Sequence, residues 1–133
     1  MRCRVAAAAL LIAAVACAHD GSGAADREVQ VKLTLSRFVP DHFEFKAGTT
    51  VTFVVTNRDP IDHEFLIGDE AAQRAHELGT EAHHGAKPGE LSIPAGETRT
   101  TTYTFGEPGH LLIGCHRPGH YAYGMRGDIL ITD

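Results

Sequence analysis

A chain of 133 residues with 12 basic and 17 acidic side chains carries a formal net charge of −5 with its histidines neutral. That length suits one domain around one core, and the acidic balance excludes nucleic acid as a natural partner, because phosphate contacts call for a basic surface. Acidity of this size is compatible with docking to a basic protein but ordinarily serves solubility.

In chain order, the first segment is a leader. Within MRCRVAAAALLIAAVACAHDGSG, Arg2 and Arg4 precede an apolar run from Val5 to Val15 that is too short to span a bilayer. This is the pattern of an export signal. Ala13 to Cys17 resembles a bacterial lipobox, with Ala14 where such motifs prefer leucine; on that reading cleavage precedes Cys17, whose lipidated sulfur tethers the chain to a membrane. Ordinary cleavage among the small residues Ala14 to Ala18 is the alternative. Residues 1–16 are thus expected as signal peptide, 17–27 as a flexible tether and 28–133 as the folded domain of an exported, periplasmic or envelope monomer. Without the leader, ten basic residues face seventeen acidic ones, a net charge of −7.

Cysteine usage follows from the same cut. Cys3 leaves with the leader and Cys17 is lipidated or terminal, so the domain retains Cys115 alone and has no disulfide of its own. A free thiol in an oxidising compartment is expected to be buried or occupied by a ligand.

Beyond the tether, apolar residues alternate with period two. Val29, Val31, Leu33 and Leu35 form one inward row, Phe43 and Phe45 a second, and Val51, Phe53 and Val55 a third before the turn residues Asn57 to Pro60. Further strands are expected at His63 to Ile67, Leu91 to Ile93, Arg99 to Phe105, Leu111 to Cys115 and Gly127 to Thr132. About eight short strands separated by glycine and proline indicate an all-β sandwich or barrel. One segment departs from this pattern: Asp69 to Gly79 opens with acids, continues with helix formers and ends on glycine, which predicts one short inserted helix.

The stretch GCHRPGHYAYGM, residues 114–125, concentrates the chemistry. Parity places Cys115 on the face of Leu111 and Ile113, the core side, and places His63 with Phe65 and Ile67, with Glu64 opposite. A lone histidine in phase with a core face is ordinarily a satisfied buried imidazole. Here a thiol, the imidazole of His120 and the thioether of Met125 follow one strand end, and two nitrogens, a thiolate and a weak thioether match the donor set of a type-1 copper site. Zinc would leave the thioether without a use.

On these residues the chain from Val29 to Asp133 resembles the cupredoxins. The match is Cys115-x4-His120-x4-Met125, preceded by an apolar strand, followed by Arg126 to Ile131 as a last strand, with His63 far upstream. Rusticyanin-like and sulfocyanin-like proteins are similar in this loop. The resemblance implies a Greek-key β-sandwich holding one type-1 copper ion, with His63, Cys115 and His120 as equatorial ligands and Met125 as the axial one. The loop also looks like the last domain of multicopper oxidases, which carry a histidine on each side of the cysteine; here His116 is present but Gly114 stands in the other place, so no trinuclear cluster and no oxidase is expected. His116, opposite in parity to Cys115, is expected to be exposed near the copper edge.

Two features depart from the common family pattern. Glu64 stands where many members carry asparagine or serine, which leaves the hydrogen bonding around the thiolate open. The inserted helix and its His-containing loop resemble some bacterial copper-resistance cupredoxins. His76, His83 and His84, with Glu77 and Glu81, are candidates for a second, weaker metal site, against a solvated helix face and loop as the plainer reading. His42 and His110 read as structural or surface residues without partners at useful spacing.

The resemblance implies a one-electron carrier cycling between Cu(I) and Cu(II), with envelope copper tolerance as the alternative, and a redox or copper-handling protein as partner. No catalytic residue is expected: parity buries the thiol, and no oxyanion-hole motif accompanies it.

Overall fold

The computed structural model describes residues 27–79 and 87–133; residues 1–26, which hold the leader and most of the tether, and Glu81, His83 and His84 lie outside the described residues. The described chain forms β1 (Arg27–Thr34), β2 (Arg37–Val39), β3 (His42–Lys46), β4 (Thr50–Asn57), β5 (His63–Gly68), α1 (Glu70–Glu77), β6 (Glu90–Ile93), β7 (Thr98–Thr104), β8 (Gly109–Gly114) and β9 (Arg126–Thr132). Two sheets face each other, one in the order β2-β1-β4-β7 and the other β3-β9-β8-β5-β6. Pairs β1–β4 and β3–β9 are parallel, and the remaining neighbours antiparallel. The expected all-β sandwich with one inserted helix is the observed architecture.

Alternation in the sequence becomes alternation in burial. Along β4, Val51, Phe53, Val55 and Asn57 point inward, while Thr50 and Thr56 pair across the outer face with Thr104 and Thr98. Phenylalanines dominate the centre. The Phe53 ring lies 5.4 Å from Phe65, 6.0 Å from Phe43 and Phe45 and 6.4 Å from Phe105, mostly edge to face, and Phe38 meets Phe65 at 5.8 Å.

One strand differs from the expectation. The inward row of β1 ends at Leu33, because the chain reverses at Leu35 and Ser36, both at φ 52°, and Leu35 is 86% exposed in that turn. The reversal creates β2, whose Phe38 enters the core in its place. Two consecutive left-handed residues match a type I′ hairpin, but neither is the glycine or asparagine that marks such turns in a sequence.

The helix begins where expected. Asp69 caps it by accepting from the Ala72 amide at 2.8 Å, and Gly79 ends it at φ 63°. It lies against β5 and β8 on the side away from the core, where a Cβ on Gly68 would stand 2.6 Å from that of Ala72.

Because Phe53 is fully buried among four rings, Phe53→Ala is expected to cost about 3–5 kcal/mol in urea unfolding of the metal-free protein. A loss below about 1 kcal/mol would contradict this packing.

Candidate metal centre

His63 is the first residue of β5, and Cys115 directly follows β8. These strands pair with Leu66 opposite Gly114, which brings the two side chains, distant in sequence, to the same end of the sandwich. From Cys115 the chain turns through Pro118 and Gly119, the latter at φ 83°, and returns to Met125. Backbone bonds close the loop: Met125 N–H donates to the His120 carbonyl at 2.9 Å, and Cys115 N–H to the Met125 carbonyl at 3.1 Å.

The loop places three donors together. His63 Nδ1 lies 3.2 Å from His120 Nδ1, and Cys115 Sγ lies 3.8 Å from the first and 3.4 Å from the second. All three donor atoms fall within 4.8 Å of one another, and they are the one such group among the described residues. Met125, fully buried, joins the same core cluster.

Protonation follows from the partners. Asp59 Oδ2 lies 2.9 Å from His63 Nε2, so the carboxylate, an acceptor only, places a hydrogen on Nε2, and in the neutral ring the lone pair is on Nδ1, the nitrogen that faces the cysteine. Burial pushes the Asp59 carboxyl up, but hydrogen bonds from Ser36, His63 and Leu35 outweigh it and hold it below its ordinary value. Burial also lowers the His120 pKa, with His63 and Arg117 adding to the fall, which favours the neutral imidazole. For Cys115, burial raises the thiol pKa against the pull of the Arg117 and Glu64 amides. A buried thiol with a raised pKa is a poor nucleophile, whereas a soft metal that displaces its proton suits it well.

The donors present fit copper, the cofactor expected from the sequence. One thiolate and two imidazoles, with a thioether in the loop, suit a metal that tolerates soft ligands in both oxidation states. The Glu64 amide donates to Cys115 Sγ at 3.3 Å. Because that donor is backbone, the side chain at position 64 is free to turn to the other face, where Glu64 Oε2 lies 3.3 Å from His76 Nε2.

That other face corrects two expectations. His116 does point away from Cys115, yet its side chain is 2% exposed rather than at the surface. It sits 2.7 Å from Gln73 Oε1 and 3.1 Å from Glu77 Oε2, stacked on Tyr121 at 4.6 Å. His76 is likewise buried, its ring 5.2 Å from that of His116, so α1 presents it to the sheet and not to solvent. His76 and Glu77 thus bind different partners. His83, His84 and Glu81, the rest of the candidate second site, lie outside the described residues.

Gly114 has a packing reason. A Cβ there would collide with Gln73 Oε1 and stand 2.8 Å from the Tyr121 ring, so Gln73 of the helix and Tyr121 of the loop crowd the place of a side chain beside the cysteine. His42 and His110 are exposed as expected, but they have partners: both approach Asp128, at 3.3 and 3.2 Å, and His42 also Asp41 at 2.7 Å. The register of β3 on β9, which sets His42 opposite Asp128, makes that pairing.

Sequence reasoning missed Asp59, Asn57 and Gln73. Asn57 Nδ2 donates to the carbonyls of Ile61 and Ile93 at 2.7 and 3.1 Å, fixing the loop before His63. Gln73 Nε2 donates to Leu66 and Leu112 carbonyls at 3.1 and 3.2 Å, fixing α1 behind the cysteine. The sole signal for the first two was a turn-rich Asn-x-Asp just before an inward histidine.

Comparison with known proteins agrees with this geometry. A profile of the cupredoxin-like domain matches residues 7–123. The copper-resistant cuproprotein CopI of Rubrivivax gelatinosus is 32% identical over 111 residues, covering 80% of this chain and 67% of that protein. CopI of Pseudomonas aeruginosa is 28% identical over 139 residues, covering 80% and 77%. Among solved structures, auracyanin B superposes with a TM-score of 0.70 at 21% identity, over 83% of this chain and 91% of that one. Auracyanin of Roseiflexus castenholzii gives 0.67 at 21%, over 84% and 100%. With sandwich, donor cluster and profile in agreement, this chain belongs to the cupredoxin family.

Proposed function

We propose that this protein is an exported electron carrier in which His63, Cys115, His120 and Met125 hold one type-1 copper ion. The observation that carries the reading is the convergence of a thiol and two imidazole Nδ1 atoms within 4.8 Å at one end of the sandwich. Copper bound there supplies a one-electron couple, Cu(I)/Cu(II). The protein supplies donors that packing holds in place, so little rearrangement accompanies electron gain and loss.

Solvent access favours a carrier over an enzyme. His63, Cys115 and Met125 are buried, and of the four only His120 reaches the surface. Exposed Leu35, Ile61 and Tyr123 flank the loops that position these residues and offer apolar contact to a redox partner. The export reading of the leader places that encounter outside the cytoplasm, with a lipid on Cys17 as the membrane tether.

The copper-loaded protein is expected to show intense visible absorption from thiolate-to-copper charge transfer. Cys115→Ser abolishes it, whereas Met125→Leu retains it. An undiminished band in Cys115→Ser would overturn the assignment.

Identity to two copper-resistant cuproproteins favours a second reading, copper tolerance in the cell envelope by binding or handing on the ion. Deleting the gene is then expected to lower growth on copper, with rescue by the wild-type gene and none by Cys115→Ser. Unchanged growth in the deletion strain would overturn this second reading.

A further inference from the structure

The most deeply placed carboxylate near the donors has no assigned role. We propose that Asp59 is a positioning residue of the copper site, holding His63 in one tautomer and favouring the oxidised over the reduced ion. This rests on the reading of His63 as a copper ligand.

The carboxylate is immobilised from every side. Oδ1 accepts from the Leu35 amide at 2.7 Å, and Oδ2 from the Ser36 amide at 2.8 Å and His63 Nε2 at 2.9 Å. Its own amide donates to Asn57 Oδ1 at 3.0 Å, and Asn57 is fully buried. The Asp59 side chain is 10% exposed and that of His63 is fully covered, so water does not compete for their bond.

Chemistry then gives a direction. A carboxylate on the outer N–H of an imidazole raises the electron density at the inner nitrogen and strengthens its bond to a cation. Cu(II) carries one more positive charge than Cu(I) and gains more from that density. The Leu35–Ser36 turn holds Asp59, Asp59 holds His63, and the preference between oxidation states depends on the chain of contacts.

The test compares Asp59→Asn with Asp62→Asn in the full-length copper protein. Asp62 is exposed and bonds the Ala95 amide, so it controls for the lost charge alone. Asp59→Asn is expected to weaken Cu(II) about tenfold more than Cu(I), raising the midpoint potential by about 59 mV for that one-electron ratio, with Asp62→Asn moving it far less. Equal shifts in the two variants would overturn the proposal. Nitrogen-15 resonance of wild-type Cu(I) protein decides the matter even if Asp59→Asn fails to fold. A His63 Nε2–H that exchanges far more slowly than the ring N–H of half-buried His120 is expected, and equal exchange of the two would overturn the proposal. A wild-type protein without the thiolate–copper band would instead overturn the parent reading of the ligands.

Discussion

The pairing of β5 with β8 is the constraint on which the site depends. With Leu66 opposite Gly114 and Ile67 opposite Ile113, His63 and Cys115 reach the same end of one sheet on its inner face, and the Glu64 amide comes to the sulfur. A slip of one residue would turn His63 outward while Cys115 stayed inward, because side chains alternate along a strand. Register is held by the core it serves. Phe65 and Ile67 are buried on that inner face of the same strand, so a slip would also expose them.

Around this register the molecule separates two polar layers. Inside, Asp59, His63 and His120 form a short network that ends on the cysteine sulfur. Outside, α1 covers the back of the same strands, with Gln73, His76, Glu77 and His116 bonded among themselves and to Glu64. Cys115 and His116 are chain neighbours that belong to different layers. The helix thus consumes the polar groups of the outer face while leaving the inner donors available to a metal, which explains how a histidine follows the cysteine without joining its cluster.

Much of this was legible in the residues, for reasons that also mark the limit. Period-two rows such as Val51, Phe53 and Val55 name a strand and its inner face together, and parity correctly set His63 and Cys115 inward and His116 opposite. Parity does not say what covers the opposite face. His116 and His76 were therefore expected in solvent, whereas α1 folds back and buries both. β2 is three residues long and follows a turn of Leu35 and Ser36, too short for periodicity and without the usual turn residues. The Asn-x-Asp before His63 hinted at Asp59, but the two amides that fix its carboxylate come from the Leu35–Ser36 turn, more than twenty residues away and joined to it only by the tertiary fold.

The central claim is that one thiolate and two imidazoles, from His63, Cys115 and His120, share one copper ion. X-ray absorption at the copper edge of the loaded wild-type protein tests it most directly, because scattering distinguishes sulfur from nitrogen in the nearest shell. The account predicts one short sulfur neighbour with two imidazole nitrogens in both oxidation states. A nearest shell of nitrogen and oxygen alone would contradict it.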